Sequence, residues 1–234
     1  MLGTIINVVA ILVGSAAGIA LHGGMPQRFR DTIMQGLALC VVLIGVTGAV
    51  QTSNSMIVIF SIVLGALVGE GIDIEKRLDS VGNAAQRLFD RGKGGSLTFA
   101  QGFVTASLVY CVGAMAIMGS LDSGLRGDHA TLIAKSILDG VSAIVFASTL
   151  GPGVALSAAA VFIYQGAITL LAQFVAPFLT EALVTEMSAV GGLLIIGIGV
   201  NMFDRVHIKV GNLLPAIFMP VIVMPFVNWL SSLI

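Results

Sequence analysis

The stretch ATLIAKSILDGVSAIVFASTLGPG, residues 130–153, decides how the rest of this chain is read. It is apolar enough to enter a bilayer, yet it carries Lys135 and Asp139 four residues apart, a spacing that puts both on one helix face. Ser142, Phe146 and Thr149 continue that face, so one side of the helix is polar for most of its length. A Lys or Asp at mid-membrane costs about 2.5–3.5 kcal/mol on insertion scales, which is why such residues face a bundle interior or a wet cavity. The two charges differ in weight. For a helix starting at Ala130 and rising ~1.5 Å per residue, Lys135 is about 7 Å in and can snorkel to the interface. Asp139 is about 13 Å in, on a side chain too short to escape. Two readings follow: a functional polar core, or a buried ion pair that holds helices together.

Composition sets the class. Of 234 residues, 57% are hydrophobic and 10% charged, against about 25% charged in soluble domains. Mean hydropathy is +1.05 and there are 29 glycines, a residue enriched in membrane helices. These values describe an all-α, polytopic transmembrane bundle in contact with lipid. A net charge of −1 gives no basis for nucleic-acid binding. Cys40 and Cys111 lie inside apolar runs without partner spacing and read as small packing residues. No cleavable signal peptide is expected, because the first apolar run begins without a basic segment before it.

About 20 apolar residues cross a ~30 Å hydrocarbon core. By that ruler the chain has eight candidate spans: 3–21, 32–50, 56–70, 98–119, 130–150, 153–176, 185–203 and 212–233. Arg28 and Arg30 follow the first; Lys76, Arg77, Arg87, Arg91 and Lys93 follow the third; Arg205 and Lys209 follow the seventh. Those three loops hold nine of the eleven basic residues, leaving Arg126 in an opposite loop and Lys135 in the membrane. The positive-inside rule then puts the three loops in the cytoplasm and both termini outside.

Local signals fill in the frame. Gly14–Gly18 and Gly65–Gly69 are G-x-x-x-G patterns, which let helices approach closely. Asn7, on the first of these helices, suits an interhelical hydrogen bond. Residues 73–91 repeat apolar side chains at helical spacing and predict an amphipathic helix on the cytoplasmic surface. The run at 92–96 is a flexible joint. Gln101, Thr105, Ser107 and Tyr110 make the first half of the fourth span polar, and Tyr164 and Gln165 lie in the sixth. Gly151-Pro152-Gly153 ends the helix, either as a turn between spans or as the break of a re-entrant element. Pro215, Pro220 and Pro225 make a straight eighth span implausible. Segments 1–70 and 153–234 are candidate inverted repeats: Ile59-Phe60 heads an apolar run as Ile217-Phe218 does. Gly36 and Gly45 roughly match Gly191 and Gly199. With the charge-derived topology the two triplets run in opposite senses.

Several runs resemble the YqgA/YdfK type of uncharacterised bacterial inner-membrane proteins: Gly3 to Asn7, Leu64 to Glu70, Cys111 to Ser120, Lys135 to Gly140 and Ala147 to Gly151. The resemblance extends over essentially the whole chain. It implies a protein of the bacterial cytoplasmic membrane, commonly guessed to be a transporter, and supplies no substrate, cofactor or catalytic residue.

The functional expectation is a secondary transporter or ion-translocating protein for a small solute or ion, as carrier or channel. In it Asp139 is the proton or cation site and Lys135 its internal counter-charge or an anion-binding group. Ser142, Thr149, Gln101, Thr105, Tyr110 and Gln165 line the path. The alternative is a non-transporting scaffold or regulator, acting through a homo-oligomer (a homodimer in the simplest case) and the surface helix at 73–91. An enzyme is not expected, since no H-E-x-x-H, G-x-S-x-G or paired-cysteine metal motif occurs. His22, His129 and His207 fall in loops or at helix ends.

Overall fold

A computed structural model of the protein describes residues 1–22, 27–77, 80, 96–203 and 207–231. Among these residues there are helices and turns and no strands. The helices are α1 (Leu2–His22), α2 (Gln27–Ala49), α3 (Ser55–Ile72), α4 (Ser96–Cys111), α5 (Ala114–Leu125), α6 (Ala130–Leu150), α7 (Gly153–Leu170), the short α8 (Ala172–Val175) and α9 (Glu181–Asn201). The last span is built from α10 (Val210–Leu213), a 3-10 turn at Leu214–Phe218 and α11 (Pro220–Ser231). Six helices are each long and apolar enough to cross a membrane, and two bent pairs, α4–α5 and α10–α11, pass the same test jointly. Their surface is apolar and much of their interior is small or polar. Leu43, Leu67, Ile137 and Ile163 point outward, while Thr4, Asn7, Ser15 and Ser61 are buried. That distribution suits hydrocarbon as the solvent, where helix contacts depend on close backbones and hydrogen bonds rather than on hiding leucines.

The contacts divide the chain into two compact units, Met1–Leu37 with Asp79–Phe178 and Ala38–Leu78 with Leu179–Ile234. In the first, α1 runs parallel to α6. Gly3 lies against Leu132, Gly14 against the Gly140 carbonyl, and Gly18 against the Ile144 carbonyl and Ala147. A Cβ on Gly14 or Gly18 would collide with backbone, so the G-x-x-x-G pattern serves packing within the chain. The fourth span, expected as one helix over 98–119, is broken. Gly113 at φ 144° separates α4 from α5, and the two are bent by 58°. Phe99 at the start of α4 packs on Gly153 at the start of α7, and Gly124 at the end of α5 packs on Thr169 at its far end. The broken pair thus contacts α7 at both of its ends. Gly151, at φ 79°, turns the chain between α6 and α7, both of span length. The sixth span stops at Leu170, earlier than its expected end, because the chain turns at Leu171 into α8.

In the second unit, the Ala38–Ala49 part of α2 packs antiparallel to α9, with Gly45 on Gly192 and Gly199 on Ala38 and Val42. α9 begins at Glu181, four residues before the expected start, because Thr180 caps it by accepting from the Leu183 N–H. α3 packs antiparallel to the last span: Gly69 meets Asn212, Gly65 meets Ala216, and Ile57 meets Val223 and Val227. That span bends by 54° between the 3-10 turn and α11, where its prolines fall. It too contacts its partner helix, α3, along its length. With each bent pair taken as one span, the total is eight. Span one packs against span six, span two against span seven, and span three against span eight. The amphipathic helix expected over 73–91 falls, from residue 78 on and apart from residue 80, outside the described residues, as does the joint at 92–95.

Candidate functional site

Close packing of α1 on α6 is what assembles the polar core. Asn7 and Asp139 lie between the glycine contacts, where the backbones are near enough for short side chains to meet. Asn7 Nδ2 donates to Asp139 Oδ2 at 3.0 Å and to Gln165 Oε1, on α7, at 3.3 Å. Lys135 Nζ donates to both carboxylate oxygens of Asp139, at 2.8 and 2.7 Å. Asn7 and Gln165 are 0% exposed, Asp139 5% and Lys135 6%. The short carboxylate therefore holds the ammonium inside, and Lys135 does not snorkel outward.

Tyr110, fully buried in the last turn of α4, presents its ring 6.0 Å from Lys135 Nζ and packs on Phe146 at 6.1 Å between centroids. Cys111, the next residue and the last before the helix break, lies within electrostatic range of both Lys135 and Asp139. The interruption of the fourth span is thus beside the ion pair. A break there frees backbone groups that an ordinary helix would satisfy internally.

Several buried polar atoms here have no hydrogen-bond partner: Asn7 Oδ1, Gln165 Nε2, and the hydroxyls of Thr4 and Thr169. Thr4 lies one turn before Asn7 on α1, and Thr169 one turn after Gln165 on α7. Since α1 and α7 are antiparallel, both threonines lie toward the same end. Orphaned buried polar groups are rare and expensive, and the usual explanation is a water or solute that completes them.

Of the residues expected to line a path, the structure joins Lys135, Asp139, Gln165 and Tyr110 in one cluster. Ser142 and Thr149 direct their hydroxyls to carbonyls of their own helix, Ser142 to Leu138 and Asp139, Thr149 to Val145 and Phe146. Thr105 is buried and Gln101 half-buried on α4, the helix that packs along α7. Asn7 is the central connector, in the interhelical role its sequence position suits. That it would meet Asp139 had no local signal, because 132 residues separate them.

A second buried carboxylate, Glu186, carries no mark in the sequence beyond its place at the edge of an apolar run. It is 0% exposed and accepts from Thr52 Oγ1 at 2.6 Å, Ser53 Oγ at 2.7 Å and the Ser53 N–H at 2.9 Å. These bonds fasten the α2–α3 connection to α9. At the opposite end of the same unit, Glu70 accepts from Lys209 at 2.7 Å and Asn212 at 2.6 Å, and Glu75 accepts from the Gly211 N–H at 2.6 Å. The hydrogen bond from Lys209 to Glu70, helped by the charges of Asp73 and Glu75, holds the exposed ammonium above its ordinary range. Among the described residues, no group of three or more His, Cys, Asp or Glu is placed to hold a metal.

The family described as "Protein of unknown function (DUF554)" matches residues 2–225. An uncharacterised membrane protein of Bacillus subtilis (strain 168), YdfK, is 33% identical over 227 residues, covering 95% of each chain. An uncharacterised protein of Escherichia coli (strain K12), YqgA, is 32% identical over 221 residues, covering 94% of each. No solved structure matches the chain.

Proposed function

Since this chain belongs to the DUF554 family, we propose that it is a secondary transporter or ion-translocating protein whose site is the Lys135–Asp139–Asn7–Gln165 cluster. One observation carries the reading. An intramembrane ion pair is bordered by buried donors and acceptors that the protein itself leaves unpartnered. An ion pair kept only as glue has no need of them. The broken fourth span beside the pair adds to the case, because discontinuous helices near the midplane are where carriers hold ions.

Asp139 is the group that gains and loses a proton or cation, with Lys135 as the internal charge that replaces it. The protein acts without a cofactor and not as an enzyme, in the bacterial cytoplasmic membrane. Nine basic residues in three loops of an eight-span chain support both termini outside by the positive-inside rule. The test is flux in proteoliposomes loaded with a pH-sensitive dye. Asp139→Asn should abolish solute-coupled proton movement while the protein still purifies folded; unchanged flux removes Asp139 from the mechanism.

A scaffold or regulator acting through a homo-oligomer is favoured by a different fact: Lys135 and Asn7 together already give Asp139 three hydrogen bonds. On that reading the exchange Lys135→Asp with Asp139→Lys preserves stability and activity alike. A transporter loses its flux.

A further inference from the structure

Asn7 sits between a carboxylate and a second amide, and that position restricts how both amides can point. Its Nδ2 carries two hydrogens, one donated to Asp139 Oδ2 and the other to Gln165 Oε1. While Asp139 is ionised, only the NH2 side of Asn7 can face it, because an oxygen there would meet the carboxylate lone pairs. With NH2 turned toward both neighbours, Gln165 must in turn offer its oxygen. Its Nε2 then points away from the chain, and this is one of the buried donors without a partner. The free donor on Gln165 is therefore a consequence of the charge on Asp139.

A proton on Asp139 reverses the sequence. The carboxyl becomes a donor, and Asn7 satisfies it by turning Oδ1, now unpartnered, inward. That oxygen has two lone pairs, so it also accepts from Gln165 Nε2. Gln165 must then direct Oε1 to where Nε2 had been. In that state Lys135 keeps its contact with the carboxyl oxygens but loses its counter-charge, and Asn7 Nδ2 takes the unpartnered place that Oδ1 had, so the protonated arrangement is the costlier of the two.

We infer that Asp139, Asn7 and Gln165 form a proton-controlled hydrogen-bond relay: ionised Asp139 presents Gln165 Nε2 as a donor to an accepting oxygen lodged between α1 and α7, and protonated Asp139 withdraws it. The inference rests on the site proposed above and adds its ligand chemistry. The occupant offers a hydrogen-bond-accepting oxygen, from water or from the carbonyl or carboxylate of a small solute. The unpartnered hydroxyls of Thr4 and Thr169 are on the same two helices and free to donate as well. Binding a carbonyl or carboxylate oxygen and binding a proton are mutually opposed, so a solute of this class leaves as a proton enters, whereas a water turns and donates to Gln165 Oε1 instead. Among the described residues the ionisable groups around Asp139 are few: Lys135 shares its helix, Tyr110 and Cys111 come from α4, and Tyr164 lies on α7 next to Gln165, while α1 brings the neutral amide of Asn7.

The full-length protein, reconstituted in lipid and labelled with 15N at Asn and Gln side-chain amides, provides the test by solid-state NMR across pH. The Asn7 and Gln165 amide signals should move together, with one midpoint, and stop moving in Asp139→Asn. The Gln165 Nε2 protons should show a cross-peak to water only on the alkaline side. With lactate as probe, loss of that cross-peak on the alkaline side identifies a solute oxygen, and its persistence identifies water; either occupant fits. Gln165→Glu, similar in size, should leave the protein folded and remove the coupled Asn7 shift. If the Gln165 signals ignore pH while Asn7 titrates, the relay is wrong, and the transport reading survives if Asp139→Asn still abolishes flux. If Asp139→Asn leaves flux unchanged while the amides titrate together, the relay stands and transport through Asp139 does not.

Discussion

At the scale of the residue, the decisive feature is that two buried charges cancel through a bidentate contact. A buried ion pair is weak evidence for stability, because desolvation offsets most of the attraction, but removing one partner strands the other. Lys135→Met should therefore destabilise the protein by about 3–5 kcal/mol, and the double change Lys135→Met with Asp139→Leu should recover most of that loss. Denaturant titration in a mild detergent reads both; a double variant no better than the single one would refute the stranded-charge account. Glu186 permits a second comparison. Its carboxylate serves three donors, and hydrogen bonds to charged groups contribute about 1.5–3 kcal/mol each. Glu186→Gln keeps one accepting oxygen and should cost less than Glu186→Ala, with the α2–α3 connection more open to protease in the alanine variant. Equal losses would mean that the clasp contributes little. Of these two carboxylates the sequence announced one. Asp139 lies deep in an apolar run beside a lysine, whereas Glu186 is one turn into a helix whose start at Glu181 becomes visible only with the Thr180 cap.

At the scale of the element, glycine sets the distances. On α1, Gly14 and Gly18 let the helix come near enough to α6 for Asn7 to reach Asp139. Gly14→Val should separate the pair, cost about 1–3 kcal/mol through overpacking, and weaken the Asn7–Asp139 bond along with stability. Gly36, on α2, has open space where a Cβ would go. Gly36→Ala should be neutral or stabilise by up to about 1 kcal/mol, through helix propensity alone. Thermal melts of the two variants give the contrast, and equal behaviour would undo it. The G-x-x-x-G patterns were legible, and so was a bend in the last span, from its three prolines. The break at Gly113 was not, because Val112-Gly113-Ala114 reads like any apolar stretch in a glycine-rich chain. It emerges from the backbone at Gly113, at a positive φ no other residue adopts cheaply.

At the scale of the whole molecule, the number of crossings decides which side each loop occupies. The proposed topology, in which each bent pair crosses once, has the N- and C-termini on one side and the basic loops on the other. Reporters fused to either end should give the same sidedness, and a cysteine placed in the 92–96 joint should be labelled only from the opposite face. Reporters on opposite faces would mean that one of the bent pairs returns without crossing. The parallel contact of α1 with α6 argues the same way, since three crossings between them leave the two helices pointing alike.

Amino-acid order alone determined that this chain lives in lipid, where its candidate spans lie, and where its costly charge lies. These are properties of runs about twenty residues long, and a bilayer reads them one run at a time. Only the tertiary structure decided what that charge meets. Asn7, Asp139 and Gln165 belong to three different runs, and no run records which others will pack against it. The same holds for the broken span beside Lys135, because a kink is settled by what the two half-helices lean on.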